Sequence, residues 1–118
     1  MHPLQPEHPG PAEISPVEAH RLGRTGEALL LDVREDDEWD VGHAESAVHA
    51  PLSRLDPASV PTGRPVVAVC RVGSRSAMVA QVLSARGVTA VNMSGGMLAW
   101  AAVGLPVVRG EGQPGEVL

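Results

Sequence analysis

Short apolar runs alternate with helix-like segments along this chain, and the alternation predicts its secondary structure. The apolar runs of strand length are Glu13-Ile14, Ala28–Val33, Ala47–Ala50, Pro65–Val69 and Val88–Met93. An apolar run with few polar interruptions is typical of a strand covered on both faces, as in a parallel sheet. The helix-like segments lie between these runs, so the chain reads as strand, helix, strand throughout.

Capping residues and glycines give the expected helix limits. Ser15-Pro16-Val17-Glu18 has the form of a capping box with proline at the first helical position, which predicts a helix ending at Gly23. A second helix is expected over Asp36–Val41, with Trp39 as its anchor in the core and Gly42 as its stop. Two more are expected over Ala77–Arg86, closed by Gly87, and over Met97–Val103, closed by Gly104. A helical turn is expected at Leu52–Leu55. The pattern predicts an α/β fold with a central, mostly parallel five-stranded sheet and helices on both faces.

The 118 residues suffice for one domain, which we place at residues 13–108. Residues 1–12 contain four prolines and no hydrophobic period, so they are expected to form a flexible arm. We expect Val107-Val108 to pack back on the domain and residues 109–118 to form a loose tail.

Charge and cysteine content narrow the functional classes. The formal net charge of −5 argues against nucleic acid or an anionic membrane surface as partner. All nine basic residues are arginine, and no apolar run approaches a membrane span. The N-terminus lacks a basic region followed by an apolar run, and a single cysteine excludes an internal disulfide framework. These features predict a cytoplasmic protein.

The one cysteine stands where a parallel sheet places its ligands. Cys70 follows the strand Pro65–Val69, and the loop Cys70–Ser76 opens a helix, whose first amides have no partner within it. Gly73 permits a tight anion-binding turn, while Arg71 and Arg75 add positive charge. The pattern favours a reactive thiolate at Cys70. The alternative is a small buried hydrophobic residue beside arginines that only aid solubility.

The other polar residues give weaker indications of a functional site than the cysteine loop does. The acidic run Glu35–Glu38 is typical of a solvated face at the start of a helix. His43 beside Gly42 is either a ligand or, as we expect, a hydrogen-bonding structural residue. The five histidines are scattered and one cysteine cannot build a structural zinc site, so no metal or other cofactor is expected.

Five motifs in order resemble a single-domain rhodanese. They are Leu31-Asp32-Val33-Arg34-Glu35, Gly42-His43, Cys70-Arg71-Val72-Gly73-Ser74-Arg75-Ser76, Gly95-Gly96 with Trp100, and Gly104-Leu105-Pro106. The resemblance implies the rhodanese fold and a thiosulfate sulfurtransferase activity. It makes Cys70 the nucleophile that carries a persulfide and assigns the substrate cradle to Arg71, Val72, Gly73, Ser74, Arg75 and Ser76. It gives Asp32 and Arg34 a supporting structural role.

The expected partners are a small anionic sulfur donor and a nucleophilic acceptor, either cyanide or a thiol that a protein can supply. The chain departs from the family pattern after Gly42-His43, where Ala44-Glu45-Ser46-Ala47 replaces the usual proline- and glycine-containing turn. Three alternatives stay open: a non-enzymatic binding module, a persulfide carrier, and a cysteine-dependent phosphatase. Four residues separate Cys70 from Arg75, whereas phosphatase relatives of the fold place five there, and this count favours sulfur transfer.

Overall fold

A computed structural model describes residues 11–118, and most of the predicted N-terminal arm lies outside the described residues. The strands are β1 (Glu13–Ile14), β2 (Leu29–Asp32), β3 (Ala47–His49), β4 (Val66–Val69), β5 (Ala90–Met93), β6 (Val108–Arg109) and β7 (Gln113–Pro114). The helices are α1 (Pro16–Thr25), α2 (Asp36–Val41), α3 (Ser74–Ala85) and α4 (Gly96–Ala102), with 3-10 turns at Leu52–Arg54 and Pro57–Ser59. Within residues 11–118, none of the helices combines the length and apolar character that crossing a bilayer requires.

The first five strands form one sheet in the order β1-β5-β4-β2-β3, and every neighbouring pair is parallel. The four residues of β2 and the four of β4 are all buried, as expected for strands covered on both faces. Strand β4 is central, and the register Asp32↔Val69 brings the carboxyl ends of β2 and β4 side by side. The predicted five-stranded parallel α/β sheet is confirmed.

Helices cover both faces of this sheet. Alternate residues of β4 point to opposite sides, so Val66 and Ala68 pack with α3 while Val67 and Val69 pack with α1 and α4. Cys70 belongs to the core cluster on the α3 side. Trp100 of α4 fills the opposite cluster with 1% of its surface exposed, and its indole nitrogen donates to the carbonyl oxygen of Pro106 at 2.9 Å.

Two predictions about helices are wrong. Helix α1 continues past Gly23 to Thr25 and is capped by Gly26, which has a φ of 79°. Gly23 instead allows close packing, since a Cβ atom there would lie 2.6 Å from the Ser46 hydroxyl oxygen. Trp39 does not anchor α2 in the core; it is only half-buried and stacks with His43 and His49, which are themselves only partly buried.

The last ten residues differ from the loose tail expected for them. Strands β6 and β7 form an antiparallel hairpin, and Val107 and Val117 pack against the core on the α1 and α4 side. Backbone hydrogen bonds attach the segment to the α2 region, with the amide of Glu116 donating to the carbonyl oxygen of Val41 at 3.0 Å. Val117 and paired backbone groups therefore order a segment that was expected to be loose, and Val107 packs back on the domain as expected.

Candidate active site

A tight turn joins the central strand to α3 and forms the base of the site. Gly73 is the N-cap of α3 and has a φ of 105°, a conformation that residues with a Cβ atom rarely adopt. It is also enclosed, because a Cβ atom there would lie 3.4 Å from the backbone nitrogen of Gly95. The turn points backbone amides at the Cys70 side chain, as the sequence predicted.

The Cys70 sulfur is buried and hydrogen-bonded. None of the residue's surface is exposed, and Sγ lies 3.1 Å from both the Gly73 amide nitrogen and the Ser76 hydroxyl oxygen. Burial alone would raise the pKa of this thiol and is the largest single influence on it. Four hydrogen bonds act in the opposite direction: one comes from the Ser76 hydroxyl, and the others come from the backbone amides of Ser76, Gly73 and Val72. Their combined effect is larger than that of burial, so the pKa of the Cys70 thiol lies below its ordinary value. The charges of the loop arginines, on which the sequence-based expectation rested, are not among the main influences on this pKa.

A buried network behind Cys70 was missed by the sequence analysis. The Ser76 hydroxyl donates to Oδ1 of Asn92 at 2.6 Å. The Asn92 amide nitrogen donates to the Gly73 carbonyl oxygen and to the Glu13 carboxylate, each at 3.0 Å. Asn92 is 1% exposed, and a polar residue inside the apolar run Val88–Met93 was the available signal.

Gly96 allows α4 to pack closely against the backbone of the cysteine loop and to hydrogen-bond to it. The amides of Met97 and Leu98 donate to the carbonyl oxygens of Cys70 and Arg71 at 2.8 and 3.0 Å. A Cβ atom on Gly96 would lie 2.4 Å from the Arg71 carbonyl carbon, so only glycine fits at this approach. The Gly95-Gly96 motif thus fixes the backbone of the cysteine loop.

Arg75 is held by a carboxylate that the sequence analysis assigned to solvent. Its two terminal nitrogens donate to the two oxygens of Glu38 at 2.7 and 2.8 Å. These hydrogen bonds lower the pKa of Glu38 to about 2 and raise the pKa of Arg75. Arg75 therefore does not face the site as a free cation, and the ion pair joins α2 to the start of α3.

The other residues expected in the cradle lie at the mouth of the loop. Arg71 is exposed, and its Nε donates to the Leu118 oxygen at 2.7 Å. Val72 is half exposed and Ser74 is exposed. The structure thus brings Cys70, Gly73 and Ser76 together, whereas Arg71, Val72 and Ser74 surround them from outside.

Asp32 and Arg34 form a buried ion pair beside the site. Both are at most 1% exposed, and Nη2 of Arg34 donates to Oδ2 of Asp32 at 2.8 Å. The same guanidinium donates to the carbonyl oxygens of Gly42 at 2.8 Å and Glu38 at 3.3 Å. The pair therefore ties the end of β2 to the middle of α2 and to its C-cap, and so helps to place Glu38, the residue that holds Arg75.

The histidines of this region stack instead of forming a ligand set. The Trp39 indole lies between His43 and His49, with ring centroids 3.6 and 4.6 Å apart and planes nearly parallel. His43 also hydrogen-bonds the Ala44 carbonyl oxygen through Nδ1 at 3.0 Å. No cluster of three or more potential metal ligands occurs within residues 11–118. The observed contacts of His43 are thus the stack on Trp39 and the hydrogen bond to a backbone carbonyl oxygen, the second of which is the kind of contact expected for it.

This arrangement suits nucleophilic chemistry at sulfur. A thiol at the carboxyl edge of a parallel sheet, with a lowered pKa and several amides directed at it, can ionise and attack an electrophilic atom. The same amides can stabilise a second negative charge that develops beside the sulfur.

Comparison with known proteins places this site in a family. The model of the rhodanese-like domain matches residues 15–103. A sulfurtransferase from Allochromatium vinosum is 36% identical over 97 residues, which cover 80% of this chain and 91% of that protein. An uncharacterized protein from Synechocystis is 34% identical over 108 residues, and the match covers 89% of this chain and 60% of its relative.

Solved structures agree with the sequence matches. A rhodanese-related protein from Thermoplasma volcanium superposes with a TM-score of 0.75 at 27% identity, over 82% of this chain and 97% of that one. The matched family region runs from the cap of α1 to the end of α4 and contains the whole cysteine loop. The protein belongs to the rhodanese-like domain family, a family of the sulfurtransferase type.

Proposed function

We propose that the protein is a sulfurtransferase that moves sulfane sulfur from thiosulfate or a related anionic donor, through a Cys70 persulfide, to a thiol or cyanide. The observation that carries the proposal is the Cys70 thiol of lowered pKa, with Gly73 and Ser76 donating to its sulfur, in a rhodanese-like domain. The sulfurtransferase name of the Allochromatium relative supports the reaction type. The single cysteine fits a reducing cytoplasm.

The reaction is a pair of displacements at sulfur with no net redox change. The Cys70 thiolate attacks the outer sulfur of thiosulfate; a Cys70 sulfur–sulfur bond forms, the donor's sulfur–sulfur bond breaks, and its electron pair leaves with sulfite. The acceptor, as thiolate or cyanide, then attacks the terminal sulfur, and Cys70 leaves as thiolate. With one cysteine in the chain, the acceptor comes from outside it.

Because the site is closed, it favours a donor whose reacting group is small. Cys70 has no exposed surface, so side chains at the loop mouth must move before any donor reaches it. The outer sulfur of thiosulfate is a single atom, whereas a phosphoryl group brings three oxygens that all need hydrogen bonds near ~2.9 Å. Together with the four residues between Cys70 and Arg75, this favours sulfur transfer over phosphatase chemistry.

Intact-mass spectrometry after incubation with thiosulfate tests the proposal. We expect one added sulfur atom in the wild type and none in Cys70→Ser, with the addition lost again when cyanide is supplied. An unreacted Cys70 would make the protein a binding module, and a persulfide that small acceptors do not discharge would make it a carrier. Hydrolysis of an aryl phosphate that Cys70→Ser abolishes would establish the phosphatase alternative instead.

A further inference from the structure

One hydroxyl proton in the site has two competing acceptors. The Ser76 hydroxyl oxygen lies 3.1 Å from the Cys70 sulfur and 2.6 Å from Oδ1 of Asn92. A serine hydroxyl has a single proton to donate. The Ser76 hydroxyl therefore cannot donate a full hydrogen bond to the sulfur and to the asparagine oxygen at the same time.

The orientation of Asn92 follows from its neighbours. Its amide nitrogen faces two acceptors, the Gly73 carbonyl oxygen and the Glu13 carboxylate, so its oxygen must be the atom that faces Ser76. Within residues 11–118, Ser76 is the one donor to this buried oxygen. A buried amide oxygen that loses its donor costs free energy.

The two charge states of Cys70 need different arrangements of that proton. In the thiol state the sulfur can donate to the Ser76 oxygen, while Ser76 donates to Asn92, and every partner is satisfied. In the thiolate state the sulfur can only accept, so the Ser76 hydroxyl must turn from Asn92 to the sulfur. Ionisation of Cys70 therefore breaks the hydrogen bond at Oδ1 of Asn92.

We propose that Asn92 is a positioning residue that draws the Ser76 hydroxyl proton away from the Cys70 sulfur and so restrains formation of the thiolate. Several amides favour the thiolate, and Asn92 acts against them. The restraint has a chemical use, since the nucleophilicity of a thiolate falls with its pKa and the best attacking thiol has a pKa near the ambient pH. The inference concerns Cys70 as the reacting group of the proposed function, but its test measures the thiol itself.

Charged groups on other elements also face this site. Glu13 of β1 accepts from Asn92, and Arg75 of α3 is close enough for Cys70 to affect its pKa while it pairs with Glu38 of α2. Arg71 is directed to Leu118. Variants at Ser76 and Asn92 retain all these charges, so a shift in the pKa of Cys70 reports on the shared proton.

The test is the rate of iodoacetamide alkylation as a function of pH in the wild type, Asn92→Ala, Ser76→Ala and the double variant. We expect Asn92→Ala to lower the pKa of Cys70 by about one unit, because the hydroxyl is then free to donate to the thiolate. Ser76→Ala should raise the pKa. The double variant should titrate like Ser76→Ala, because Asn92 acts only through the hydroxyl.

A merely structural role gives a different pattern. If Asn92 only braces Gly73, then Asn92→Ala raises the pKa of Cys70 in both backgrounds, and the proposal fails. It fails equally if the pKa does not change, or falls by the same amount with and without Ser76. Ser94→Ala is the matched control, since it removes another hydroxyl hydrogen bond to Glu13, of 3.2 Å, and should leave the pKa unchanged.

The variants are chosen to fold. After Asn92→Ala, the Gly73 carbonyl oxygen still accepts from the Ala77 amide at 3.2 Å, and Glu13 still accepts from Ser94. Asn92→Val is made beside it, because a β-branched residue suits a buried strand and also lacks the competing oxygen. Should thiosulfate leave no persulfide while the alkylation pattern holds, the proposed function fails and the role of Asn92 stands.

Discussion

The ion pair between Glu38 and Arg75 should make the stability of the protein depend on pH in acid, and Glu38→Gln tests this. Hydrogen bonds from Arg75 are the main reason that the pKa of Glu38 falls from 4.5 to about 2. A difference of that size corresponds to about 3 kcal/mol of stability for a fully shielded pair. The Arg75 side chain is 33% exposed, so solvent screening leaves an expected contribution of about 1–2 kcal/mol.

The sign follows from the direction of the pKa shift. A carboxylate whose pKa is lower in the folded state stabilises the protein above its unfolded value of 4.5, and this stabilisation is lost as the pH falls toward about 2. Urea unfolding of the wild type and Glu38→Gln, from about pH 7 to about pH 2, measures the difference in free energy. In the wild type, the Glu35 amide nitrogen donates to Oε1 of Glu38 at 3.0 Å. A glutamine at this position can still accept that hydrogen bond, so the variant keeps the capping box of α2.

A matched control separates this pair from charge in general. Glu18→Gln removes the partner of Arg21, but that pair is exposed, with 42% and 54% of the two side chains accessible, and no resolvable change is expected. The reasoning is refuted if Glu38→Gln has the stability of the wild type at neutral pH. It is refuted too if the difference between them is as large at about pH 2 as at about pH 7.

Three further variants test other parts of the site. Asp32→Asn leaves the Arg34 guanidinium, 1% exposed, without its counter-charge, and should lower the free energy of unfolding by about 3–5 kcal/mol in urea titrations. Gly96→Ala should abolish persulfide formation, since its Cβ atom meets the Arg71 backbone at 2.4 Å; Gly104→Ala, equally left-handed but in open space, should keep it. Arg71→Ala should raise the KM for thiosulfate about tenfold with a smaller change in kcat, and an unchanged KM in steady-state kinetics would exclude this arginine from the donor site.

The parts of the fold that depend on local pattern could be predicted from the sequence. Buried strands such as Val66–Val69 carry no polar residue, and the cap of α1 has its signature in Ser15 and Glu18. The position of Cys70 at a strand end before a glycine turn was likewise visible, because three neighbouring features of one loop define it. Such features need no knowledge of which distant residue lies nearby.

The partners of the site residues could not be predicted, because distant segments supply them. Glu38 lies in a run of four acids, and nothing local distinguishes the one that meets Arg75 across 37 positions. The hairpin of residues 108–114 is held by backbone pairing, which the side-chain pattern does not reveal, and a loose tail was expected there. Trp39 is apolar enough for a core, but it lies outside both core clusters and stacks with two histidines, His43 and His49, that come from later parts of the chain.

The pairing of β1 with β5 has a consequence for how the chain folds. Glu13 pairs with Asn92 across 79 positions, so one of the two acceptors that orient the Asn92 amide belongs to the other end of the domain. Closing so long a loop through a two-residue strand is entropically costly, and contacts of this kind form slowly. On the ribosome, β1 has to wait until β5 has emerged. The polar network behind the cysteine is therefore completed only when the ends of the domain meet, and the maturation of the thiol's reactivity should lag behind the collapse of the apolar core.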